Sequence, residues 1–269
     1  MKFLRRDHAP ITQAAWEAID GEAARVLKLN LAARRLVDFR GPLGWEVSNI
    51  NLGRTQALKP NPRDGVNAAL RRVLPLMELR IDFDLSLEEL YAIDRGAEDA
   101  DLQPVVQAAM SMAMAEDDLV FNGYKPGGID GILPASPHKP HTISKDYQEY
   151  PFTVTQAVET LRKAGVVGPF AIALGPRCYA GLMQATNTGG YPLIKTLQNV
   201  LDGPIVRAPQ VDGAAVMSMH SGAFELVVGQ DISVGYSHHD RERIYLFLMQ
   251  SLTFRTLAPE SAVPLRYKS

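Results

Sequence analysis

Three clusters of ionisable side chains invite a chemical reading. His238, His239 and Asp240 stand in a row within VVGQDISVGYSHHDRERIYLFL, residues 227–248. Two imidazoles and a carboxylate suit a metal ion or an acid–base pair. Adjacent residues on a strand face opposite sides, so the two rings share a metal only if the segment is a turn. No further His or Cys lies at zinc-ligand spacing, and Arg241, Glu242 and Arg243 continue a polar link between two apolar runs. The trio is expected as a solvated turn. Glu116, Asp117 and Asp118 form an acidic run inside a helical window. Positions 116 and 118 diverge by about half a turn, so they do not make a paired-carboxylate site. A di-iron helix needs Glu-x-x-His, which this chain lacks. A helix surface, or an ion pair with a neighbour, is expected. Cys178 is the only cysteine, which excludes an internal disulfide and a cysteine zinc cluster. Its helix also holds Tyr179 and Leu182, so it reads as a small buried hydrophobe, although a nearby helix N-terminus would favour the thiolate.

The glycine-rich segments carry no phosphate chemistry. GYKPGGIDG lacks the Gly-Lys-Ser/Thr of a Walker loop and does not open a helix after a strand. No Gly-x-Ser-x-Gly elbow occurs. NTGGYPL, residues 187–193, reads as a link between two helices, its two glycines free to take tight or left-handed backbone. No catalytic constellation emerges from the residues alone.

Composition narrows the partners. The 269 residues are 46% apolar and 22% charged, with a formal net charge of −2. That is globular, with no basic field calling for nucleic acid. No run reaches the ~18 apolar residues of a membrane helix. MKFLRRDHAPIT lacks the apolar centre of a signal peptide. A cytoplasmic protein without membrane contact or cofactor is expected.

The elements that would position any site follow from periodicity and punctuation. A helix over 13–31, capped by Thr12, carries a stripe of Trp16, Ile19, Ala23, Val26, Leu27 and Leu31. Phe3, Leu4 and Ile11 form an apolar arm before it. A strand-like limb from Val47 to Leu58, a turn at KPNPRDG and a second strand from Leu74 to Phe83 read as one long hairpin. It holds too few large apolar groups to bury itself. Such a hairpin is either a mobile surface ribbon or an arm lying across a neighbouring subunit. A short helix over 86–96 and a long spine helix from Leu102 to Phe121 follow. From Thr153 helices and strands alternate. After Pro204 the chain is strands, including RIYLFLM and LTFRTLA as separate segments. The class is α+β.

Several segments together resemble the encapsulin shell proteins. They are FLRRDHAPIT with Trp16 and Asp20, RRLVDFRGPLGWE (34–46), LPLMELR (74–80), AEDDLVFNG (115–123), GGYPL (189–193) and VGQDISVGY (228–236). They fall in family order along nearly the whole chain. The resemblance implies the major-capsid fold of tailed phages, the Hong Kong 97 type. By that analogy, residues 1–47 form an N-terminal arm and helix, part of a peripheral domain. Residues 48–80 form the extended hairpin loop. Residues 81–134 form the peripheral domain with its spine helix, 135–224 the axial domain, and 225–269 the peripheral strands.

The resemblance further implies a closed icosahedral homo-oligomer. It would hold a cargo enzyme, a ferritin-like iron-oxidising protein or a dye-decolorising peroxidase, through the cargo's C-terminal targeting peptide. Matching groove positions are Leu27, Leu31, Arg34 and Asp38 on the helix side, and Asp231, Ile232 and Val234 on the strand side. Apolar groups there would bury the peptide while Arg34 and Asp38 bind its polar atoms. Leu27 and Leu31 read equally as plain core. Asn187, Thr188, Gly189, Gly190 and Tyr191 would line a fivefold pore without a strong charge filter. Where some family members stack a flavin on an exposed tryptophan, this chain has Glu88, which offers no stacking face. A phage capsid protein or its remnant is the alternative within the fold. A bacteriocin-like or hydrolytic protein is an alternative of another class, for which no nucleophile–base pair is visible.

Overall fold

A computed structural model of the chain describes residues 3–144, 146–187 and 189–267. Thr12 caps the first helix, α1 (Gln13–Asn30), its hydroxyl accepting from the Ala15 amide at 3.2 Å. Ala15, Trp16, Ile19, Ala23 and Val26 are buried, the single face that steps of three and four residues create. A short 3-10 turn leads to strand β1 (Asp38–Arg40). Strands β2 (Asn49–Arg63) and β3 (Val66–Pro75) pair as a hairpin, and β4 (Met77–Ser86) continues from it into the body. Ser86 then caps α2 (Leu87–Asp94). The spine helix α3 (Gln103–Asn122) precedes a single-turn helix α4 (Ile132–Ala135) and strand β5 (His141–Ile143).

The alternating stretch comprises α5 (Tyr150–Lys163), β6 (Phe170–Leu174), α6 (Pro176–Gln184), α7 (Leu193–Leu201) and β7 (Asp202–Arg207). Strands complete the chain: β8 (Ala214–Ser218), β9 (Phe224–Val228), β10 (Ser233–His239), β11 (Arg243–Thr256) and β12 (Ala262–Tyr267).

These strands make two five-stranded sheets and one isolated ribbon. The first sheet runs β1-β9-β11-β10, with β4 also paired to β11. The second runs β5-β12-β8-β6-β7. Strand β6, FAIAL, is buried on both faces, and its side chains explain how the sheets share one body. Phe170, Ile172 and Leu174 face a core with α5, α6 and α7. Ala171 and Ala173 face a second core shared with Leu226, Val228, Leu252 and Phe254 of the first sheet. Alternation puts large groups toward the helices and small ones toward the neighbouring sheet, where backbones approach closely. A third core joins α1, α2 and α3 to β4, β10 and β11.

Three boundaries differ from the sequence reading. The hairpin turn is the two-residue Asp64–Gly65, with Gly65 at φ +78°, and KPNPR belongs to β2. Asp-Gly suits the twist of a two-residue hairpin loop. The prolines fall where the register is irregular, between Leu58 and Arg63, so no ladder hydrogen bond is lost to them. The returning strand is consequently β3, and the segment from Met77 instead pairs with β11. RIYLFLM and LTFRTLA form one strand of 14 residues, β11. No turn residue separates them, and Gln250 and Ser251 are buried in passing. Finally, β12, grouped from sequence with the peripheral strands, pairs with β5 and β8 in the second sheet. Ala262, Val263, Pro264 and Leu265 are all buried, so this segment needs cover on both faces.

Candidate functional site

The turn after α1 is fastened to the spine helix by the acidic run. Asp117 accepts from the backbone amides of Ala32 at 3.0 Å and Ala33 at 2.8 Å. Glu116 receives Nε and Nη2 of Arg34, each at 2.7 Å. The other side of the same guanidinium donates to Asp231, at 2.7 and 3.2 Å. Arg34 therefore bridges the spine helix to the loop before β10. Glu116 is fully buried and Asp117 1% exposed, so two members of the run do not lie on a helix surface. The ion-pair half of the expectation holds: buried carboxylates require partners. Burial pushes the Asp117 carboxyl up to about 7, against the two amides that favour its charge. The sequence reading singled out Arg34, Asp231 and the acidic run separately; it missed that Glu116 pairs with Arg34 and that Asp117 holds the Ala32 and Ala33 amides. Two acids inside an otherwise apolar helical window were the available signal.

The expected groove residues sort into three sets. Leu27 and Ile232 are half-buried against one core, in which Val234 is 3% exposed. Leu31 is half-buried at the end of α1. Together they leave an apolar step between helix and strand, while Val234 itself is core. Arg34 and Asp231 sit beside that step with their charges paired to each other. Four hydrogen bonds tie the Arg34 guanidinium to Glu116 and Asp231. Removing the guanidinium would strand a buried Glu116, an effect of about 3–5 kcal/mol. Asp38 faces elsewhere. Its Oδ2 accepts from the Gly222 amide at 2.5 Å and the Ser221 hydroxyl at 3.1 Å, holding the turn before β9.

The loop between α6 and α7 builds itself from one side chain. Asn187 Oδ1 accepts from the amides of Gly189 and Tyr191, both at 2.9 Å. Gly190, at φ +79°, donates its amide to the Asn187 carbonyl. Asn187, Gly189, Gly190 and Tyr191 are all exposed, and Tyr191 presents 47% of its surface. Thr188 lies outside the described residues.

The other chemical candidates resolve into structure. His238 stacks on Tyr245 with centroids 4.3 Å apart, and His239 Nδ1 lies 2.6 Å from the Tyr236 hydroxyl. Asp240 caps the turn by accepting from the amides of Glu242 and Arg243 and from the Tyr245 hydroxyl. Those amides hold its pKa below the usual carboxylate value. The histidines close β10 rather than occupying the turn itself. Among the described residues no group of three or more His, Cys, Asp or Glu is placed to hold a metal. Cys178 is buried 3.0 Å from the Tyr267 hydroxyl. Burial pushes its thiol pKa up, the opposite of the helix-terminus expectation. Glu88 ion-pairs with Arg95 at 2.7 Å. Among the described residues no helix is long and apolar enough to cross a membrane.

Two motifs far apart in sequence meet in space. In GPLGWE, the amides of Leu43 and Gly44 donate to the carbonyls of Val228 and Gly229, each at 3.0 Å, within VGQD. Gly41, at φ +150°, packs so closely on the Val228 carbonyl that any Cβ would collide with it. Strand β1, β9 and the loop before β10 are thereby locked beside the turn that carries Arg34.

A family model described as encapsulating protein for peroxidase matches residues 1–253. A type 1 encapsulin shell protein of Rhodospirillum rubrum is 47% identical over 99% of this chain and 97% of that relative. One of Mycobacterium tuberculosis is 39% identical over 99% of this chain and the full length of that relative. Among solved structures, a virus-like particle from Pyrococcus furiosus superposes with a TM-score of 0.67 at 19% identity. It covers 93% of this chain and 99% of that one. The capsid of Myoviridae phage XM1 gives a TM-score of 0.55 at 10% identity over 89% and 92%. The fold is thus the capsid fold of the Hong Kong 97 type. The curated relatives are shell proteins, and this chain is a structural protein rather than an enzyme. Matched by the family model over most of its length and by such relatives from end to end, the chain belongs to the type 1 encapsulin shell proteins.

Proposed function

We propose that this protomer builds a closed icosahedral compartment in the cytoplasm, using the β2–β3 hairpin as an arm over a neighbouring subunit. The observation that carries the reading is the hairpin's exposure. Leu52, Leu58, Val66, Leu70 and Val73 each leave 36% or more of their surface in solvent. An antiparallel ribbon with bare edges and exposed aliphatic groups gains ladder partners and apolar cover from another chain. Repetition of a modest heterologous contact closes into a shell when its rotation closes. The domain assignment follows the same frame: residues 48–80 as the extended loop and 135–224 as the axial domain. Residues 81–134 and 225–269 supply the peripheral body, with β12 returning to the axial sheet.

The compartment's task in this reading is to hold an oxidative enzyme, a ferritin-like iron-oxidising protein or a dye-decolorising peroxidase. The family model's description supports a peroxidase as one such cargo. The cargo's C-terminal peptide docks on the apolar step of Leu27, Leu31 and Ile232, with Val234 beneath. Arg34 and Asp231 hold the wall beside that step, while Asp38 holds the 221–222 turn. The neutral loop of Asn187, Thr188, Gly189, Gly190 and Tyr191 lines a pore for small substrates. Leu27→Asp with Ile232→Asp is expected to leave particles intact and lower cargo occupancy at least tenfold, read by mass spectrometry of purified particles. Unchanged loading would reject the groove.

A further inference from the structure

The hairpin and the segment around α2 carry opposite net charge that is answered only in part within the chain, where Asp84 pairs with Arg243 and Glu88 with Arg95. Residues 49–75 hold Arg54, Lys59, Arg63, Arg71 and Arg72 against Asp64, a net +4. Residues 84–101 hold seven carboxylates against Arg95, a net −6. The whole chain is only −2, so this separation is local.

The geometry sharpens the imbalance. Arg54 and Arg72 are register partners on β2 and β3, which places like charges directly opposite. That arrangement is unfavourable without a counter-charge. With Arg71 they line a cavity of about 360 Å³, beside the register shift between Asn51 and Arg54. Among the described residues none of the three arginines has an ion-pair or hydrogen-bond partner. On the acidic segment Glu98 and Asp99 are exposed, and among the described residues neither has a hydrogen bond or ion pair. Among the described residues no hydrogen bond or ion pair joins the two regions within one subunit.

We infer that the basic face of the hairpin, at Arg54, Arg71 and Arg72, docks on the acidic edge at Glu98 and Asp99 of a second copy of this chain. The inference rests on the hairpin's proposed role as an intersubunit arm and names the surface it meets. Exposed ion pairs are individually weak and sensitive to salt. Their main contribution is to choose the partner surface and fix its register, because a misplaced arm would bring like charges together. Repeated at every equivalent contact of the assembly, a small preference becomes decisive.

The test is charge reversal and its rescue in the full-length chain, with the cage fraction read by size-exclusion chromatography and negative-stain microscopy. Arg54→Glu with Arg71→Glu and Arg72→Glu, or Glu98→Lys with Asp99→Lys, is expected to lower that fraction at least tenfold. The five reversals together are expected to restore it. A glutamine version at the three arginines guards against misfolding. It is expected to assemble weakly and to lose the salt sensitivity of the original chain between 0.05 and 1 M sodium chloride, a fall in screening length from about 14 Å to about 3 Å. Failure of rescue despite folded subunits would overturn the pairing. So would phosphate-driven assembly of Glu98→Lys with Asp99→Lys, in which the arginines are intact, which would assign the arginines to a free anion. If the reversals assemble normally while deletion of 59–64 abolishes cages, the pairing falls and the arm stands. If the deletion also assembles normally, both fall.

Discussion

The β10–β11 hairpin and the β2–β3 hairpin use the same antiparallel ladder in opposite surroundings. On β11 nine successive residues, 246–254, are buried; Leu246 and Leu248 enter the core with α1, α2 and α3, and Leu252 and Phe254, further along the strand, enter the core shared with the second sheet. On β2 only Ile50 is buried, and on β3 no residue is. A ladder alone is marginal in water; burial supplies its stability. The first hairpin completes itself within the subunit. The second has its hydrogen bonds but lacks the cover, and that deficit points outward to other copies.

Deleting Lys59–Asp64 gives the largest effect expected from this contrast. Cage formation should fall at least tenfold by size-exclusion chromatography, while the melting temperature of the isolated subunit stays unchanged. A matching loss of subunit stability would erase the distinction. In the buried hairpin the reverse holds. Phe254→Ala removes a ring 1% exposed and should lower subunit stability by about 3–5 kcal/mol in a denaturant titration.

Asp117 adds a pH signature to the covered region. The folded carboxyl keeps its proton to about pH 7, whereas an unfolded aspartate loses it near 3.8. Between those values the folded state binds more protons, so stability is full below pH 4 and declines as pH rises toward 7. Denaturation midpoints compared across pH 4–8 should show the original chain losing stability relative to Asp117→Asn as pH rises through that window. A constant difference would contradict the shift. The smallest effect belongs to the exposed end of β10: His238→Ala should cost about 0.5 kcal/mol or less, since the lost stacking on Tyr245 lies in solvent.

Local rules made much of this legible. Thr12, the stripe of α1 and the apolar runs of α3 and β6 each obey a period or a cap that needs no tertiary information. The hairpin was visible as a polar ribbon, but its turn was drawn too wide: KPNPRDG includes Asp64–Gly65, yet its two prolines lie in β2, because prolines are tolerated in an unpaired stretch of an edge strand. Glu116 and Asp117 were invisible as buried groups, because their partners lie some 82–85 positions away. The groove is likewise tertiary. The spacing in α1 cannot tell a half-covered Leu27 from a buried one, and nothing local to Asp38 shows that it bonds to the 221–222 turn.

Electron cryomicroscopy of the purified full-length protein tests the central claim most directly. Closed shells should appear in which residues 49–75 of each subunit run over a neighbour, with the exposed aliphatic groups of the ribbon covered. A population of solitary compact subunits at micromolar concentration, or shells in which that ribbon touches no other copy, would contradict it.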